Sequence, residues 1–80
     1  MRLDKFLKVS RLIKRRTVAQ SACAGARVEV NGRAAKPAYQ LKEGDVLTIR
    51  FGEKPLVVRV LRLSESVRKE DADAMYEVIP

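Results

Sequence analysis

The sequence predicts an α+β fold, with two N-terminal helices followed by a small, mostly antiparallel sheet. Three observations point there. Leu3, Phe6 and Leu7 fall at i, i+3 and i+4, the stripe of a short helix. The stretch from Val18 to Ala26 is rich in alanine, the strongest helix former. Beyond it, apolar and polar residues alternate in short runs separated by glycine-containing turns.

Taken in order, a first helix that buries Leu3, Phe6 and Leu7 turns Lys5 and Lys8 outward, and Leu12 and Ile13 follow as a continued turn or a second packing contact. Thr17, with Gln20 three residues on, matches a capping box and marks the start of the second helix. Small residues line one face of that helix, and Cys23 among them reads as a core residue rather than a nucleophile. Gly25 is the expected helix stop. Val28 and Val30 alternate with Arg27 and Glu29 as a short strand. Asn31-Gly32 then supplies the two positive-φ positions of a tight hairpin turn, with Arg33 to Lys36 as the return strand before Pro37. Glu43-Gly44-Asp45 is a second turn, and Leu47, Ile49 and Phe51 form the inward side of the next strand. Gly52-Glu53 leads into a strand within Pro55–Leu63, where Leu56, Val58 and Val60 oppose Val57, Arg59 and Leu61. Ser64 to Ala74 reads as a polar loop with a helical turn, and Met75 to Ile79 as a closing strand.

Eighty residues allow one small domain, expected over 1–80, with its core motif in 2–50 and C-terminal strands in 55–79. One cysteine and no histidine leave no internal disulfide, no credible zinc site and no histidine-based nucleophile system, so no metal or cofactor is expected. No apolar run approaches the ~20 residues of a membrane span. The expected setting is cytoplasmic, without membrane contact.

The formal charge of +7 is unevenly spread. Residues 1–36 carry a net +8, 37–63 a net +2 and 64–80 a net −3. Seven cations, Arg2, Lys5, Lys8, Arg11, Lys14, Arg15 and Arg16, lie in the first sixteen residues, interleaved with core-type side chains. That is a folded basic face, suited to a polyanion docking on one end of the molecule. Lys14, Arg15 and Arg16 precede the positive end of the second helix, where a phosphate would meet side-chain charge and backbone N–H groups together.

The ordered set of motifs resembles the RNA-binding domain named for small-subunit ribosomal protein four, the S-four-type (alpha-L) domain. The resemblance rests on Arg2-Leu3-Asp4, Ser10-Arg11, Lys14-Arg15-Arg16-Thr17, Val28-Glu29-Val30-Asn31-Gly32, Pro37 and Gly44-Asp45. Ala26 stands where the family usually has glycine, and Gln20 where a basic residue is common. The run Met1–Thr17 is similar to small stand-alone bacterial members of that family, themselves related to the heat-shock protein of 15 kDa. This resemblance implies a monomeric, non-enzymatic factor that binds obstructed large ribosomal subunits still holding peptidyl-tRNA. It would contact large-subunit rRNA and the tRNA, and work beside RqcH, which extends the stalled chain with alanine. The alternatives are a heat-shock-15-type factor binding free large subunits with nascent chains, a general rRNA-binding domain, or a fragment of an RNA-modifying or tRNA-charging enzyme. Against the fragment, Met1 opens directly on the motif and a last strand closes at Ile79.

Structured RNA is read through shape, phosphates and 2′-OH groups, which calls for fixed arginines and lysines on rigid elements. The expected contacts are Arg2, Lys5, Arg11, Lys14, Arg15 and Arg16, with Arg27, Asn31 and Lys36 as an outer set. Arg16 leads, its alternative being an ion pair with Asp4. Asp4 itself is expected to cap or to orient an arginine, since a carboxylate repels phosphate. Arg59, Arg62, Arg68 and Lys69 read as solvated surface charge. Phe6 and Phe51 sit in core registers, which argues against a base-stacking platform; Tyr39, in a loop, could stack or not.

Overall fold

A computed structural model describes residues 1–65 and 68–80. Helix α1 spans Leu3–Val9 and α2 spans Arg16–Ala24. Five strands follow: β1 Val28–Val30, β2 Arg33–Ala34, β3 Val46–Ile49, β4 Leu56–Val60 and β5 Tyr76–Val78. A 3₁₀ segment, Lys69–Met75, precedes β5. The strands form one sheet in the order β2-β1-β3-β4-β5, antiparallel at each pairing. The expected polar loop at 64–74 includes residues 66 and 67, which lie outside the described residues, as does the side chain of Lys69.

The core is built from the predicted stripes. Leu3, Phe6 and Leu7 from α1 and Ala19, Ala22 and Cys23 from α2 pack with Val28, Val30, Leu47, Ile49, Val58 and Val60 from one face of the sheet. Burying each large member stabilises the fold by about 1.5–3 kcal/mol. Small residues on α2 let the helix approach both α1 and β1. The N-terminus is pinned by the 37–41 segment: Leu3 N–H donates to Tyr39 O (2.8 Å), Asp4 N–H to Pro37 O (3.1 Å) and Leu41 N–H to Met1 O (2.9 Å). The first two satisfy the opening amides of α1, which has no side-chain cap at its N-cap.

The Asn31-Gly32 hairpin forms as expected. Asn31 (φ 52°) and Gly32 (φ 84°) both sit at positive φ, and Val30 pairs with Arg33 across the turn.

Four local expectations are corrected. First, Thr17 is not the N-cap. α2 begins at Arg16, its N-cap Arg15 is extended, and no side-chain cap forms. Gln20 instead donates to Asp4 Oδ2 at 3.0 Å, because a buried carboxylate is a stronger acceptor than a neutral cap partner. Second, Gly25 is the C-cap that ends α2, as expected, but the left-handed residue of the stop falls one place later: Gly25 sits at φ −84° and Ala26 takes φ 60°. Arg27 N–H bonds Ala22 O (2.9 Å) and Ala26 N–H bonds Cys23 O (3.1 Å), so a Schellman closure forms on a non-glycine residue. Third, Phe51 is not in the core. β3 ends at Ile49, the chain turns at Gly52 (φ 84°), and Phe51 is left 42% exposed. Fourth, the return strand is shorter than Arg33–Lys36, ending at Ala34.

Candidate nucleic-acid interface

Asp4 organises the basic end of the molecule. It is fully buried, yet its carboxylate accepts from four directions. Arg2 donates through Nε to Oδ1 (3.1 Å) and through its terminal nitrogen to Oδ2 (3.2 Å). Arg16 Nε reaches Oδ2 at 3.4 Å, Gln20 Nε2 reaches the same oxygen at 3.0 Å, and Lys5 N–H donates to Oδ1 at 2.8 Å. Burial pushes the Asp4 carboxyl up, but the bonds from Gln20, Arg2 and Arg16 and the Arg16 charge outweigh that. The group ends below its ordinary value and is ionised at neutral pH.

The two arginines keep their outer faces in solvent. Their side chains are 44% and 43% exposed while the carboxylate between them is inaccessible. A guanidinium has five donors, so one edge can be fixed by Asp4 while the other meets an anion. Asp4 thereby aims Arg2 at the start of α1 and Arg16 at the start of α2, twelve residues apart in sequence from its own position to the latter.

Between the helices, Arg11, Lys14 and Arg15 are exposed, and among the described residues no carboxylate pairs with them. Arg11 sits at φ 64°, a conformation that costs a non-glycine residue about 1–2 kcal/mol. It closes α1, with its N–H on Lys8 O at 3.1 Å. Lys14 and Arg15 lead into α2, whose first amides lack a side-chain cap. Lys5 is only partly exposed and pairs with Glu65 at 3.3 Å.

The outer set is not gathered there. Arg27 lies at the far end of α2 beside Phe51, and Lys36 borders a separate groove with Cys23, Ala26 and Pro37. Asn31 serves the fold: its Nδ2 donates to Asp45 Oδ1 (3.1 Å), and its Oδ1 accepts from Val46 N–H (3.0 Å). That clamp was missed in the sequence, although the Asn-Gly and Gly-Asp pairs each marked a turn. Arg59 pairs with Glu77 at the sheet edge, and Tyr39 is exposed. Cys23 is buried, and burial, with the Asp4 charge adding, pushes its thiol up to about 11. Among the described residues, no group of side chains could hold a metal ion, and no helix is long and apolar enough to cross a membrane.

Two helices presenting fixed arginines over a small antiparallel sheet define an RNA-binding module. The chain belongs to the S4 domain family, whose model matches residues 1–47. Within it, the chain is 58% identical over 78 residues to the RQC P-site tRNA stabilizing factor of Halalkalibacterium halodurans, covering 98% of this chain and 89% of that one. It is 51% identical over 79 residues to the factor of the same name in Bacillus subtilis, covering 99% and 92%. A heat shock protein 15 homolog of Aeromonas salmonicida is 33% identical, over 96% of this chain and 59% of its own. In three dimensions, the trimeric structure of Vibrio cholerae heat shock protein 15 superposes with a TM-score of 0.92 at 30% identity, over 99% of this chain and 81% of that one.

Proposed function

We propose that this protein acts in ribosome-associated quality control as a non-enzymatic, RNA-binding factor. It binds a large ribosomal subunit that holds peptidyl-tRNA and steadies that tRNA through phosphate contacts. The observation that carries the reading is the Asp4 hub. A fully buried carboxylate holds two half-exposed arginines at the heads of two helices, beside Arg11, Lys14 and Arg15, which make no ion pair among the described residues. Pre-oriented guanidinium groups lose little freedom on meeting phosphate, and α2 adds uncapped N–H groups at its positive end. The relatives named as P-site tRNA stabilizing factors match this chain nearly end to end, which supports the tRNA as one ligand.

In this account Arg2, Lys5, Arg11, Lys14, Arg15 and Arg16 contact rRNA or tRNA backbone, and Arg27, Asn31 and Lys36 reach flanking RNA. The protein works in the cytoplasm as a monomer, beside RqcH on the same subunit, and supports alanine tailing of the stalled chain. The second reading is a heat-shock-15-type factor on free large subunits, favoured by the close superposition on the Vibrio cholerae protein. Gradient co-sedimentation with large subunits, with and without peptidyl-tRNA, separates the two. Retention that requires the tRNA, and alanine tailing by RqcH that falls without the protein, support the first. Tailing that proceeds unchanged in its absence supports the second.

A further inference from the structure

Phe51 lies two residues beyond the end of β3 with 42% of its surface exposed, an unusual place for one of only four aromatic residues in the chain. It does not stand alone. With Val18, Ser21, Ala22, Gly25 and Arg27 it lines an open cleft of about 340 Å³ beside α2. One wall is the phenyl ring. The helix contributes Val18, Ser21, Ala22 and Gly25, mostly small or apolar side chains that leave room for a flat group. Arg27 is exposed, and among the described residues no carboxylate pairs with it.

We propose that this cleft receives a single unstacked RNA base, lying on the Phe51 ring with Arg27 on the adjoining phosphate. The inference rests on the RNA-binding reading above and deepens it. A π-face beside a cation is the pairing by which proteins hold splayed-out bases. The Ser21 hydroxyl can both donate to and accept from a base edge. The net +8 of residues 1–36 selects a polyanion over an apolar protein segment, which would leave Arg27 desolvated and unpaired. The placement also fits the basic end: α2 is nine residues, about 13 Å, so RNA held at Arg16 reaches the cleft within a few nucleotides.

The chain has no tryptophan, so Phe51→Trp introduces a lone tryptophan at the cleft, whose emission is read by exciting beyond the tyrosine band. Titration with a short single-stranded oligoribonucleotide is expected to quench its emission, whereas a blunt RNA duplex of equal length leaves it unchanged. Phe51→Ala, and Phe51→Leu as the variant that retains apolar bulk, are expected to weaken single-strand binding roughly tenfold and to leave duplex binding unaltered. Arg16→Ala weakens both. Phe51 variants that bind the single strand like the wild type, while Arg16→Ala does not, overturn the cleft and leave the basic face standing. If Arg16→Ala also binds both RNAs normally, the underlying reading fails as well. Emission that shifts with protein concentration alone identifies a second copy of the chain as the occupant and overturns the proposal.

Discussion

Arg16 Nε sits 3.4 Å from Oδ2 of Asp4, joining the first residue of α2 to the second residue of α1 through a carboxylate that solvent does not reach. The bond does two jobs. It locks the helix pair, and it holds a charged fork at the surface in one orientation. A surface ion pair would contribute about 0–1 kcal/mol. Here one partner is buried and accepts from four residues, so its removal strands several donors at once.

Asp4→Asn should therefore destabilise the fold by about 1–3 kcal/mol, the cost of weakening several bonds at one buried acceptor. It should also weaken RNA binding, although it removes a negative charge from a basic surface. A simple field argument predicts tighter binding. Urea unfolding read beside RNA titration checks the two effects, and tighter binding by Asp4→Asn would reject the orienting role.

The same carboxyl sets an acid limb. Its folded pKa lies below the unfolded value, so the native state holds the proton more weakly. Its contribution is complete above the unfolded value near ~4 and is lost as the pH falls through the folded one. Stability measured from pH 6 downward, on an order-of-unit pH grid, should drop more steeply for wild type than for Asp4→Asn.

Two non-glycine residues occupy left-handed backbone at helix ends, Arg11 (φ 64°) and Ala26 (φ 60°). Glycine at either site relieves strain and should stabilise the fold by about 1 kcal/mol. The functional outcomes differ. Ala26→Gly should leave RNA binding unchanged, whereas Arg11→Gly should raise the urea midpoint and weaken binding together. Opposite signs at Arg11 would mark a charge retained at the expense of stability.

Cys23 offers a probe of opening. Buried and with its thiol pushed up to about 11, Cys23 should react with thiol reagents at pH 8 far more slowly in the native chain than in the unfolded one. Labelling rates should follow urea concentration, and rapid labelling in buffer would place Cys23 outside the core.

The fold was largely legible because its signals are local. The Leu3-Phe6-Leu7 stripe, the alanine run and the two positive φ values of Asn31-Gly32 need no tertiary information. Asp4 was legible as an orienting carboxylate, but its convergence with Gln20 was not, since that contact depends on how the helices cross. The same crossing explains Thr17. A capping box was readable, yet Gln20 found a charged acceptor on the other helix. Phe51 was misread because strict alternation carried the strand past Ile49, while the turn at Gly52 ended it earlier and left the ring in solvent.

The most direct test of the basic face is the salt dependence of binding to large subunits that carry peptidyl-tRNA. If Arg2, Lys5, Arg11, Lys14, Arg15 and Arg16 each neutralise one phosphate, the log–log slope should be about −5, taking ~0.9 per contact. Arg15 makes no ion pair among the described residues, so Arg15→Ala should flatten the slope by about one with an unchanged urea midpoint. A wild-type slope near zero, or an Arg15→Ala slope equal to wild type, would contradict the account.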